Sequence, residues 1–194
     1  SGLVRTRDTA GVVGVGQREL PLGIYLRETP YTICNQSIRD YAERFRPKLA
    51  QDTIETLHAI IMAIADDVPY SKGETHVHTT GAEALEQGSG VCQDHAHIFC
   101  AICRTLSIPA RYASGYLAQG GGHDAHAASH AWAEAFVEDL GLVSFDPSNR
   151  SSATESYIRT AVGLDYAEAS PVRGVRSGGG LETMTVSVSF PSQQ

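Results

Sequence analysis

The stretch Gly88-Ser89-Gly90-Val91-Cys92-Gln93-Asp94-His95-Ala96-His97 decides how the rest of the chain is read. A small, flexible Gly/Ser run delivers a cysteine, and a helical pattern begins there. Val91, His95 or Ala96, Phe99, Ile102 or Cys103 and Leu106 recur at three- and four-residue spacing, which predicts a helix with one buried face. Ser89 or Gly90 suits the cap. Cys92 then falls in the first turn, where unpaired backbone N–H groups and the positive end of the helix dipole favour an anion. A thiol so placed is expected to ionise more readily than a free cysteine, whose pKa is about 8.5. The competing reading is a small buried cysteine that only packs.

Working outward, 194 residues suffice for one substantial core and are short for two. The apolar fraction of 42% and charged fraction of 19% are those of an ordinary globular protein. A formal charge of −7 with no Lys/Arg run argues against a nucleic-acid surface. No stretch of about 18 apolar residues could span a bilayer, and no signal-peptide pattern opens the chain. The four cysteines are Cys34, Cys92, Cys100 and Cys103. Cys100 and Cys103 lie inside the predicted helix rather than at its start, so they read as apolar filler and not as a redox pair. Without a disulfide framework, a reducing, cytoplasmic setting is expected.

Before the central helix, residues 1–30 are rich in Gly, Val and Arg. They read as an extended or β segment, the trailing edge of a preceding domain. Helices are predicted over Ser37–Arg46, ended by Pro47, and from an Asp52 cap to the residue before Val68-Pro69. A loop covers Tyr70–Thr79. Thr80 and Glu83 form a capping box for a short helix that ends at Gly88. After Pro109 the period changes from about 3.6 to 2. Strands are predicted at 110–117, 129–137, 142–146 and 182–190, with a helix over 151–161 and loops at 119–124 and 171–180. Helices first and an antiparallel sheet second make an α+β domain.

The hairpin carries the next chemistry. His130, Trp132, Glu134 and Phe136 share one face of their strand. Folding the hairpin about residue 138 sets His130 opposite Asp146, on a common face and within reach of a hydrogen bond. A one-residue slip would separate them. A cysteine at a helix start, a histidine on a strand and an acid on the neighbouring strand form an acyl-transfer set. Cys92 would attack a carbonyl, His130 would hold and return the proton, and Asp146 would orient the imidazole. First-turn N–H groups would stabilise the oxyanion, with Tyr70 a candidate for a second donor.

Four blocks in this order resemble the transglutaminase-like superfamily. They are Gly90–His97, Ile108-Pro109-Ala110-Arg111-Tyr112-Ala113-Ser114-Gly115-Tyr116, Ser129-His130-Ala131-Trp132-Ala133-Glu134 and Phe145-Asp146-Pro147-Ser148-Asn149. The late stretches Asp165-Tyr166, Pro171–Gly174 and Gly178–Gly180 resemble its bacterial branch. The resemblance covers roughly residues 25–190. It implies a papain-like fold, helices packed on an antiparallel sheet, with a Cys-His-Asp triad at Cys92, His130 and Asp146. It also implies a β-rich domain ahead of residue 30 and a catalytic domain over residues 31–194. Leu142 departs from the tryptophan common in the family, which leaves the triad intact and alters the local substrate wall.

The expected activity is thiol-dependent acyl transfer or hydrolysis at amide bonds, through a thioester. The donor would be a protein or peptide amide, and the acceptor an amine or water. No cofactor, nucleic acid or membrane partner is expected, and no calcium-loop spacing occurs. The alternative from another class is a non-catalytic papain-like binding module. His76-x-His78, His95-x-His97 and His123, His126 and His130 invite a metal reading. Against it, two residues apart on a helix point in different directions, and loop histidines are ordinarily solvated. Trp132 reads as core or as a cleft wall. Glu134 either pairs with Arg111 or stays solvated, and Asp94 either favours its helix N-terminus or pairs with an arginine.

Overall fold

The computed structural model describes residues 21–119 and 126–170. The first twenty residues of the expected N-terminal extended segment, the strand expected at 182–190, the loops at 120–124 and 171–180, and His123 lie outside the described residues.

A 3-10 helix, Leu22–Leu26, opens the described part. Six α-helices and four strands follow in the described part: α1 Gln36–Glu43, α2 Arg46–Leu49, α3 Thr53–Asp67, α4 Gly81–Gln87, α5 Cys92–Thr105, β1 Ala110–Gln119, β2 His126–Val137, β3 Gly141–Phe145, β4 Tyr157–Gly163 and α6 Tyr166–Ala169. The sheet is antiparallel, in the order β3-β2-β1-β4. Helices first and sheet second is the α+β arrangement expected from the change of period.

α5 is the element around which the others pack. Every residue from Asp94 to Arg104 is buried, so the helix has no solvent face over that length. Ile98, Phe99, Ile102 and Cys103 join Leu57, Ile60, Ile61 and Ile64 of α3, Ile38 of α1 and Phe145 of β3 in one apolar core. Burial of this kind stabilises by about 25 cal/mol per Å² of apolar surface. Of the polar atoms α5 carries inside, Asp94 Oδ1 and His97 Nδ1 lack a hydrogen-bond partner among the described residues, whereas Arg104 is well bonded. Arg104 donates to the backbone oxygens of Tyr25, Ala110 and Leu164 and to the Thr32 hydroxyl, tying the N-terminal segment to the sheet.

Local signals hold for α3 and α4. The Asp52 carboxylate accepts from the Glu55 N–H, and Thr80 and Glu83 cap each other reciprocally. Gly88 closes α4 at φ 69°, a left-handed conformation that glycine adopts without steric cost.

Four expectations are corrected. α1 stops at Glu43, and Pro47 sits in the first turn of α2, where its missing N–H costs nothing. Residues 22–26 turn helically instead of running extended. The cap of α5 is Val91, one residue past Gly90, because the Asp94 carboxylate takes over the capping role. Finally, the helix expected over 151–161 is absent: Ser151 bridges Asp146 and Tyr157–Gly163 forms β4. The free edge of β1 needs partners for its backbone groups, and this segment supplies them in register from Tyr112↔Gly163 to Leu117↔Tyr157.

Candidate active site

Cys92 is the first residue of α5 and is half-buried. Its position is fixed from both sides. Upstream, Tyr70 and Gly90 form a parallel bridge, with Ser71 N–H donating to the Gly90 oxygen at 2.8 Å. Downstream, the Asp94 carboxylate accepts the Val91 N–H at 2.8 Å and the Thr75 hydroxyl at 2.6 Å, binding the loop of residues 70–79 to the helix start. Asp94 therefore serves its own helix and a threonine, with no arginine involved. Burial pushes its carboxyl above the usual range, against the pull of the Thr75 and Val91 donors. A Cβ on Gly90 would lie 2.9 Å from the Asp94 Cβ, so the glycine makes room for this carboxylate.

His130 comes from β2. Its Nε2 is 2.6 Å from Asp146 Oδ2, and the Cys92 thiol lies close enough to act on the same imidazole. With Nε2 engaged by Asp146, Nδ1 is the ring nitrogen left for the sulfur. Burial alone would lower the imidazole, but hydrogen bonds and charge from Asp146 and Cys92 outweigh it and raise it to about 9. Asp146 is buried, and burial would raise its carboxyl; the donors His130, Tyr157 and Asn149 reverse that and hold it below the usual carboxylate range. Cys92, His130 and Asp146, the three candidate site residues read from the sequence, are thus brought together.

The register that does so differs from the expected one by two residues. Ala133 pairs with Phe145 and Glu134 with Ser144, so the hairpin turns about residue 139. Continuing that ladder sets Trp132, not His130, across from Asp146, with His130 one same-face step away. A shift of two keeps every side chain on its face, which is why the pair survives as a diagonal contact.

Residues without an assigned role in the sequence also belong here. Asn149 Nδ2 donates to Asp146 Oδ2 at 2.7 Å, and its backbone N–H to Oδ1 at 3.2 Å. The Tyr157 hydroxyl donates to Oδ2 at 2.7 Å. Asp-Pro-Ser-Asn is a turn signature in which the first side chain accepts from the chain ahead, so Asn149 had a sequence signal. Tyr157 had none, because it arrives on the strand read as a helix. Trp132 is buried with its ring 6.2 Å from that of His130 and nearly parallel to it, so it is both core and neighbour of the site. Tyr70 is half exposed; burial and the charges of Cys92 and Asp94 raise its phenol.

His78, His95 and His97, three of the histidines of the metal reading, are engaged elsewhere. His95 Nε2 meets the Val68 oxygen and Nδ1 the Ser148 hydroxyl, both at 2.8 Å. This lashes the turn after Asp146 to α5, and burial lowers the basicity of the imidazole against the pull of the Val68 carbonyl. His97 lies between the rings of Tyr31 and Tyr112 and accepts the Tyr166 N–H at 3.1 Å, its basicity lowered by burial to about 3. His78 Nδ1 meets the Tyr31 hydroxyl. Among the described residues no group of three or more His, Cys, Asp or Glu is arranged to hold a metal ion. No helix among them is long and apolar enough to cross a membrane.

Comparison with known proteins agrees with this architecture. An uncharacterized protein of Mycobacterium leprae is 34% identical over 167 residues, covering 84% of this chain and 58% of its own length. One of Mycobacterium tuberculosis is 36% identical over 152 residues, covering 72% and 47%. The chain spans about half the length of the curated relatives it matches. Among solved structures, one described as a candidate cysteine protease from Cytophaga hutchinsonii superposes with a TM-score of 0.66 at 28% identity, over 81% of this chain and 52% of that one. The periplasmic domain of TgpA from Pseudomonas aeruginosa shares the fold, with a TM-score of 0.52 at 24% identity over 65% and 46%. The family model described as "Transglutaminase-like superfamily" matches residues 39–147, more than half of the sequence and the interval that holds Cys92, His130 and Asp146. The chain belongs to the transglutaminase-like superfamily.

Proposed function

We propose that this chain catalyses thiol-dependent acyl transfer or hydrolysis at amide bonds of a protein or peptide. The observation that carries the reading is the convergence on one imidazole of a helix-terminal thiol and a buried carboxylate, Cys92 and Asp146 about His130. In the first half-reaction the Cys92 sulfur, its proton held by His130, attacks the amide carbonyl carbon. The carbonyl π-bond electrons move to oxygen, where first-turn N–H groups of α5 receive the charge; each such donor is worth roughly 3–4 kcal/mol. Collapse of that intermediate breaks the C–N bond, and the His130 imidazolium gives its proton to the departing nitrogen. A thioester remains on Cys92. In the second half-reaction water or an amine loses a proton to His130, attacks the thioester and releases the thiol. Asp146 holds the ring in the orientation both transfers need. Tyr70, beside the Gly90 bridge, is the proposed second contact for the oxyanion.

The test has two arms. Iodoacetamide should label Cys92 far faster than Cys34, and His130→Ala should slow it; equal rates at the two cysteines would defeat the reading. Incubation with glutamine peptides and a primary amine then assigns the chemistry. Ammonia with a cross-link means transfer, ammonia alone means hydrolysis of the side-chain amide, and chain cleavage without ammonia means peptidase action.

A further inference from the structure

Three side-chain donors converge on a single oxygen of Asp146. His130 Nε2 lies 2.6 Å from Oδ2, Asn149 Nδ2 2.7 Å and the Tyr157 hydroxyl 2.7 Å. Oδ1 takes the Asn149 backbone N–H at 3.2 Å. A carboxylate oxygen offers about two lone-pair directions, so three donors on Oδ2 must share its charge.

Tyr157 is held there by more than that bond. Its ring meets Trp132 edge-on at 5.4 Å and His130 at 5.8 Å, while the β4 ladder pairs it with Leu117. The imidazole of His130 is therefore bounded by Cys92 from α5, Asp146 from beyond β3 and Tyr157 from β4. His95 of α5 is the next titratable group. We infer that Tyr157, with Asn149 beside it, is a positioning residue that limits how tightly Asp146 holds the His130 proton. A carboxylate whose charge is already taken up by two other donors pulls less on the third.

The use of this arrangement rests on the acyl-transfer reading: an imidazolium clamped by an otherwise unshared carboxylate would be a poor acid toward a departing amine. Brønsted behaviour puts the best acid near the working pH. The inference about Oδ2 itself can be read without any substrate.

The experiment is an NMR titration of the His130 ring in the full chain carrying Cys92→Ala, so that no thiol titrates beside it. Adding Tyr157→Phe should raise the His130 midpoint by about half a pH unit or more, and Asn149→Ala should move it the same way. A merely structural tyrosine would lower the melting temperature and leave the midpoint where it was. An unchanged or lowered midpoint in folded Tyr157→Phe overturns the inference. Should that variant not fold, Asn149→Ala alone must raise the midpoint, or the sharing of Oδ2 is wrong. The two readings fail separately. An inert Cys92 with a Tyr157-sensitive His130 would remove the acyl-transfer reading and keep this one.

Discussion

Arg111 and Glu134 are direct partners across the β1/β2 ladder, and their guanidinium and carboxylate meet at 2.7 Å with side chains 2% and 1% exposed. Arg159 from β4 reaches the same carboxylate at 2.7 Å, and the Tyr25 hydroxyl accepts from Arg111. One buried anion thus joins three strands on the same face of β2 that carries His130 and Trp132. Glu134→Gln keeps the shape and removes the charge that both guanidiniums face. Breaking a buried pair from one side costs about 3–5 kcal/mol. A urea midpoint lowered accordingly is expected; a shift within about 0.5 kcal/mol, the range of ordinary surface changes, would contradict it.

Stability should fall on the alkaline side. His130 titrates at about 9 in the folded chain, against 6.5 for an unperturbed imidazole. Between those values the folded state binds more protons than the unfolded one, so the unfolding free energy decreases as pH rises. The contribution is complete below about pH 6.5 and gone above about pH 9, and it is on the order of 3 kcal/mol. Asp146, held below its ordinary range, acts at the other end: its contribution is present at neutral pH and disappears in acid. Urea midpoints across this range, compared with those of His130→Gln, should show the alkaline slope in the parent and its loss in the variant.

Thiol counting should separate one cysteine from three. Burial raises the thiols of Cys34, Cys100 and Cys103, that of Cys100 to about 11. Cys92 is the half-buried one. A charge-neutral disulfide reagent at mild alkaline pH should titrate a single fast group in the folded chain and four after denaturation. Fast reaction at Cys100 or Cys103 would mean that α5 opens far more readily than its burial implies.

Gly115 is expected to be irreplaceable. A Cβ there would stand 1.9 Å from the Ile158 carbonyl oxygen and 3.0 Å from the Trp132 ring, at the point where the β1/β4 register shifts. Gly115→Ala must push β4 away from β1, and with it Tyr157. A destabilisation of about 2 kcal/mol or more is the expected thermal-melt result, accompanied by slower labelling of Cys92. Gly23, whose surroundings are empty within 4 Å, is the control that should tolerate alanine.

What the sequence disclosed, it disclosed through short-range chemistry. Asp52, Thr80, Gly88 and the periodicity after Cys92 each carry a local signal, and each element they mark is present. The contact between His130 and Asp146 was legible because strand parity survives an error of two in register. The failures share a cause. Residues 157–163 form β4, where a helix was expected over 151–161, because β1 has an unfilled edge, a fact about a strand some forty positions earlier. The β-branched alternation Ile158, Thr160 and Val162 was the available local hint. Tyr157 was lost with that strand, and Arg104, whose partners come from residues 25, 32, 110 and 164, offers no local sign of its role.

The burial of α5 on all sides has a consequence for how this protein can vary. From Asp94 to Arg104 no position is a surface position, so the helix cannot absorb an inserted or deleted residue by turning its misfit toward water. One added residue rotates everything before it by about 100° relative to everything after it. Sequence change can accumulate at the exposed residues 72–74 or at the tip of the β2/β3 hairpin, but the spacing between Cys92 and Pro109 is a fixed length. It behaves as a ruler whose two marks are the sulfur and the start of the sheet, and drift in the family should appear as substitution there and never as a gap.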